Sequence, residues 1–111
     1  MDPSSLERRQ AERVAVAVPV ELHGERGFLL YSTQDLSLGG AFFDKAIPLP
    51  VGAQVTITVR LPGDAPVVCQ GEVVNVPDQK SFGMGVRFLD MQPSDEARLS
   101  SFLRSSSKGA P

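Results

Sequence analysis

The chain has 111 residues, a formal net charge of −2 and a sequence pI of about 5.3. That length fits one domain able to bury a core without metal or disulfide staples. The charge argues against a binder of polymeric DNA or RNA, which draws its salt-dependent affinity from an excess of Lys and Arg.

Residues 1–13, MDPSSLERRQAER, are polar and carry no apolar period, so they read as a flexible arm. They lack the apolar stretch of a secretory signal. No run in the chain approaches the ~18–20 apolar residues of a membrane span. The expected location is therefore the cytoplasm, with no insertion into a membrane.

Residues 14–22, VAVAVPVEL, form a β-branched run that predicts a strand, with Pro19 pointing to an edge or a bulge. His23 to Gly27 is turn chemistry. A second strand over Phe28–Thr33 runs towards Asp35, and Leu36-Ser37-Leu38 alternates before Gly39-Gly40 breaks or bulges the chain. Ala41–Phe43 resumes as a short strand, and residues 48–52 form a loop. Val55, Ile57, Val59 and Leu61 share one face of a strand over Gln54–Leu61. After a turn at Pro62-Gly63-Asp64, Val67–Val76 predicts a strand with a bulge at Gly71, and Gly83–Leu89 predicts the last strand. Ser94 is expected to cap a helix that has Asp95 and Glu96 in its first turn and Ala97, Leu99, Phe102 and Leu103 as its apolar stripe. Residues 105–111, SSSKGAP, read as a disordered tail. Short strands, Gly/Pro turns and one terminal helix describe a small all-β antiparallel barrel with a C-terminal helix, spanning 14–104.

The chemistry available to this barrel is limited. There is one His and one Cys, so no catalytic pair or metal cluster is indicated, and no G-x-S-x-G occurs. Cys69 lies in an alternating apolar run, where a small buried hydrophobe is the expected role. His23 sits beside Gly24, where a solvated surface histidine is the default. No catalytic residue, metal or cofactor is expected.

Two patterns remain. Arg9 and Arg13 are spaced R-x-x-x-R, with Arg8 just before them. Guanidinium groups stay charged and fork bidentately onto phosphate or the O6/N7 edge of guanine. At this spacing the two share a face in either a helical turn or an extended arm. Taken alone, the pattern is more often a solvated charged segment, and Glu7 and Glu12 offset much of its charge. The second pattern is Asp35-Leu36-Ser37-Leu38-Gly39-Gly40, D-x-S-x-x-G. On a strand, Asp35 and Ser37 face the same way. A carboxylate accepts from the N1–H and N2–H edge of guanine, and Gly39-Gly40 lets bare backbone N–H groups approach a ligand. Alone, this too is more often a turn that ends a strand. The 21 residues between Arg13 and Asp35 suffice for a hairpin that returns the arm to Asp35.

In this order and separation the pair resembles the signature of PilZ domains, R-x-x-x-R followed by (D/N)-x-S-x-x-G. Gly83-Met84-Gly85-Val86-Arg87-Phe88 resembles the strand that closes the PilZ barrel, and Gly71-Glu72-Val73-Val74 the strand before it. The likeness runs from about Arg8 to Leu103. It implies a six-stranded antiparallel barrel with a C-terminal helix that binds cyclic di-GMP and signals to a downstream effector protein. Such receptors act on bacterial motility, biofilm or polysaccharide control. By position, Arg9 and Arg13, with Arg8, would grip phosphate and the Hoogsteen edge of guanine. Asp35 and Ser37 would hold the other guanine, with Gly39 and Gly40 keeping the approach open. Two rival readings remain: a PilZ-like protein-interaction domain that works without nucleotide, and a small OB-like barrel for oligonucleotides. The acidic pI and the few aromatics count against the latter.

Overall fold

A computed structural model of the chain describes residues 13–25, 27–46, 49–74 and 83–108. Among these residues seven antiparallel strands and one helix follow in order: β1 Pro19–Gly24, β2 Gly27–Ser32, β3 Asp35–Leu36, β4 Gly40–Phe43, β5 Gln54–Val59, β6 Val67–Val74, β7 Met84–Leu89 and α1 Pro93–Lys108. They form one sheet in the order β2-β1-β5-β6-β7-β4-β3. The fold class agrees with the expectation from sequence, an antiparallel β structure with a C-terminal helix. The strand count of six becomes seven, and the sheet is open.

One side chain accounts for the additional strand. Thr33 is 4% exposed. Its hydroxyl accepts a hydrogen bond from the Val18 amide (2.9 Å) and donates one to the Val16 carbonyl (2.6 Å). A side chain here takes groups that a continuous ladder would pair with backbone. The run from Gly27 to Leu36 is thus divided into β2 and β3. For the same reason β1 starts at Pro19 and not at Val14. The residues ahead of it are tied down by the Val14–Leu36 bridge, in which each amide donates to the other's carbonyl (2.9 and 3.0 Å).

Pro19 does not mark an edge or a bulge. β1 lies between β2 and β5, and Pro19 is its first residue, where a missing N–H is tolerated. Its carbonyl still accepts from the Arg60 amide (3.0 Å). The turn between β1 and β2 is also tighter than expected: His23 and Gly24 belong to β1, and Gly24 pairs with Gly27.

The expected bulge at Gly71 is absent, because the register of β6 against β5 and β7 runs through it unbroken. A Cβ at this position would lie 2.0 Å from Ile57 Cδ1 and 3.1 Å from the Arg87 carbonyl oxygen. The glycine is there because a core side chain fills the space.

The core lies on the inner face. Val55, Ile57, Val59 and Leu61 are buried as the alternation predicts, together with Val20, Leu22, Leu36, Phe43, Val67 and Val73. Leu99 and Leu103 of α1 join them, and Phe102 packs at their side. Ala97, expected in that stripe, is exposed. Ser94 is not the cap: α1 starts at Pro93, a favoured first helical residue, and the Gln92 carbonyl accepts from the Glu96 amide (2.9 Å). The helix continues to Lys108, beyond the tail boundary expected at Ser105, because extending a formed helix is cheap compared with nucleating one. Arg98 fixes α1 to the turn before β6: it donates to the carbonyls of Ala65 and Pro66 and pairs with Asp95 and Asp64. No helix among the described residues is long and apolar enough to cross a membrane.

Candidate functional site

The site is built where the N-terminal segment meets β3. The Val14–Leu36 bridge lays this segment against β3, so that Arg13, one residue earlier, reaches Asp35. Arg13 Nη1 is 3.6 Å from Asp35 Oδ1. The guanidinium side chain is 66% exposed and the carboxylate 22%. Their attraction is therefore screened, and the arginine fork keeps most of its donors open to solvent.

Asp35 points outward because β3 alternates. Leu36 is fully buried, and it aligns through β4 and β7 with buried Ala41 and Val86. The neighbouring row, Asp35, Phe42 and Gly85, faces the other way. Phe42 in that row is 8% exposed, yet it lies outside the core cluster.

Ser37 is placed differently from the expectation that it shares a face with Asp35. β3 ends at Leu36, and the Ser37 amide donates to the Gly40 carbonyl (2.9 Å), closing a turn. The hydroxyl is folded inside that turn. It accepts from the amides of Gly39 and Gly40, both at 3.1 Å, and donates to the Gly40 carbonyl at 3.2 Å. Ser37 is 6% exposed. Its hydrogen-bonding capacity goes to the D-x-S-x-x-G backbone, so Ser37 shapes the turn that follows Asp35.

Gly39 lies in the bend that breaks the chain between β3 and β4, as expected, and pairing resumes at Gly40. The Gly39 carbonyl accepts from the Phe88 amide (2.8 Å), and Gly40 begins β4. A Cβ at Gly40 would fall 2.2 Å from the Val86 carbonyl oxygen and 3.3 Å from Arg87 Cα. The absence of a side chain lets β4 lie against β7 directly beneath the turn. Arg8 and Arg9 lie outside the described residues.

One cation near the motif was not singled out from sequence. Arg87 stands opposite Gly40 in the β4–β7 register, 60% exposed, and pairs with Glu72 of β6. Only the alternation of β7 marks it in the sequence, and alternation gives the face of a residue but not its neighbour. Elsewhere, His23 is exposed, bonds to Glu21 (3.0 Å) and stacks on Phe28 with centroids 5.1 Å apart. Arg60 and then His23 hold the Glu21 carboxyl below the usual carboxylate range by hydrogen bonding. Cys69 is a buried thiol pushed up to about 11, first by burial and then by the Asp95 charge.

Comparison with known proteins adds family and fold. No curated protein matches the sequence significantly. Among solved structures, the chain is similar to the Bacillus subtilis inhibitor of motility MotI/DgrA, with a TM-score of 0.76 and 17% identity. That match covers 94% of this chain and 53% of the other, so the chain spans about half the length of that protein. It is also similar to the PilZ domain of Escherichia coli YcgR solved with c-di-GMP, with a TM-score of 0.70 and 23% identity over 93% of this chain and 94% of that one. The PilZ domain of CeSA from a cellulose-synthesizing bacterium gives a TM-score of 0.62 and 17% identity over 87% and 99%. At these identities the likeness establishes the fold. The PilZ domain family model matches residues 7–105, from before the first arginine pattern to within the terminal helix. With that match over most of the chain, on an antiparallel sheet that sets Arg13 against the Asp35 turn, this protein belongs to the PilZ domain family.

Proposed function

We propose that this domain is a receptor for cyclic di-GMP that changes conformation on binding and passes the signal to a partner protein. One observation carries the reading. Arg13 and Asp35, taken from the two separate halves of the motif pair, are neighbours at 3.6 Å on an open surface. Arg13 has the donors for a phosphate or a guanine O6/N7 edge. Asp35 has the acceptors for a guanine N1–H and N2–H edge. Ser37 contributes by holding the turn, and Gly39 and Gly40 by keeping it free of side chains. Arg8 and Arg9 add further cations five and four residues before Arg13. The fold likeness to a PilZ domain solved with c-di-GMP supports the same ligand.

The role is binding without catalysis, and the partner is an effector protein, with no polymeric nucleic acid involved. The proposed setting is the bacterial cytoplasm, in control of motility, biofilm or polysaccharide. Calorimetric titration with cyclic di-GMP, with GTP as control, tests the reading. Saturable heat with the cyclic dinucleotide and little with GTP is expected. No heat and no thermal shift at high-micromolar protein would overturn it and leave a nucleotide-independent interaction domain.

A further inference from the structure

The strand pairing changes phase just before Asp35. β1 and β2 pair regularly from Gly24–Gly27 to Pro19–Ser32. Val18 and Thr33 come next in that register, and the Thr33 amide donates to the Val18 carbonyl (3.1 Å). Continued unchanged, the ladder would bring Val14 to Ser37. It brings Val14 to Leu36 instead. From Val18 to Val14 the chain takes four steps, whereas from Thr33 to Leu36 it takes three. The N-terminal segment keeps its alternation: Val18 is fully buried, and Val16 and Val14 pack against the core. The phase change therefore falls on the other side, where Thr33 and Leu36 are both buried although three residues apart. A bend at Gln34, whose amide turns to the Phe42 carbonyl of β4, completes the crossing.

That step decides which way Asp35 faces. Strict alternation from buried Thr33 would turn Asp35 inward and Leu36 outward, since a slip of one residue moves every side chain to the other face. Instead Leu36 enters the core and Asp35 turns out towards Arg13. An extra residue on one side of a ladder leaves backbone groups there without a strand partner. Here the Thr33 hydroxyl takes both of them: it accepts from the Val18 amide (2.9 Å) and donates to the Val16 carbonyl (2.6 Å). One hydroxyl thus stands in for the peptide unit that the shorter side lacks.

We infer that Thr33 is a positioning residue of the nucleotide site: its hydroxyl holds the out-of-phase pairing that sets Asp35 beside Arg13. Thr33 lies outside both arginine and D-x-S-x-x-G patterns and acts through the segment that carries Arg13. Its effect on affinity rests on the receptor reading proposed above. Its effect on pairing needs no ligand.

Thr33→Val keeps the branched shape and removes the hydroxyl, whereas Thr33→Ser keeps the hydroxyl. Amide hydrogen exchange on the ligand-free protein tests the pairing. Val14 and Leu36, whose amides donate to each other's carbonyls, should exchange ~10-fold faster or more in Thr33→Val, beyond any change at Ile57 in the middle of the sheet. Thr33→Ser should restore slow exchange. Calorimetry with cyclic di-GMP tests the site. Affinity should fall roughly 5- to 30-fold in Thr33→Val and recover to within about threefold of wild type in Thr33→Ser. Combined with Arg13→Ala, the loss from Thr33→Val should be less than multiplicative, because a displaced arginine and a missing one are the same loss. Cys69→Ala, a core truncation on β6, lowers stability away from this segment and should bind as the wild type does. If the valine variant does not fold, Thr33→Cys, a weaker donor and acceptor, should show the same two losses in smaller degree. Unchanged exchange at Val14, unchanged affinity, or an equal loss of affinity in Cys69→Ala would overturn the proposal. No binding by the wild-type chain would overturn the receptor reading instead, and exchange at Val14 and Leu36 would still decide the pairing.

Discussion

Arg13 and Asp35 are held 3.6 Å apart by a backbone bridge one residue further along each segment, between Val14 and Leu36. The ion pair is thus a consequence of sheet pairing and not its cause. Exposed pairs of this kind contribute only ~0–1 kcal/mol to stability. Arg13→Ala and Asp35→Ala should therefore leave the melting temperature nearly unchanged. Each should weaken cyclic di-GMP binding by roughly 10- to 150-fold, the loss of one charge-assisted contact of ~1.5–3 kcal/mol. Calorimetry on both variants checks this. Full affinity in both would remove these residues from the site.

Ser37 should behave in the opposite way. Its buried hydroxyl accepts from two amides, and Ser37→Ala leaves both without a partner. A loss of ~1–3 kcal/mol in urea unfolding is expected, with any loss of affinity following from the disturbed turn. Unchanged stability would show that water or a shifted backbone replaces the hydroxyl.

The two tightly packed glycines should differ in their sensitivity. At Gly40 an added methyl meets the backbone carbonyl of Val86, which is fixed in the β4–β7 ladder. At Gly71 its nearest neighbour is Ile57 Cδ1, the end of a side chain able to turn aside. Gly40→Ala should cost about 3 kcal/mol or more and Gly71→Ala ~1–3 kcal/mol, as for overpacked cores. The reverse order in chemical unfolding would contradict the packing described.

Cys69 gives a pH-dependent prediction. Its thiol is pushed up to about 11 in the folded chain, against an ordinary value of 9.0. Below pH 9 the thiol is protonated in both folded and unfolded states and favours neither. Between pH 9 and 11 the unfolded chain releases the proton and the folded chain retains it, so stability falls as pH rises. The stability advantage of the wild type over Cys69→Ala should shrink across that window by on the order of 2 kcal/mol. Thiol alkylation of the folded protein at pH 8 should be slow and should accelerate on unfolding.

Alternation in the sequence determined the faces of the strands. Val55, Ile57 and Val59 are buried because a period of two leaves them no other face. Arg13 and Asp35 were identifiable by their chemistry and motif spacing, since those properties reside in the residues themselves. Three things were decided only in the tertiary structure. Thr33 divides a strand because its hydroxyl meets Val16 and Val18, whose positions depend on the hairpin closing. Ser37 turns inward because its amide and hydroxyl both find Gly40, so that the even spacing from Asp35 no longer sets its direction. Gly40 and Gly71 are glycines because other strands come close, and neither the Val86 carbonyl nor Ile57 Cδ1 is near them in sequence. Local pattern fixes which way a side chain points within an element. What stands opposite it depends on strands joined by long-range pairing, and that information is carried by the whole fold.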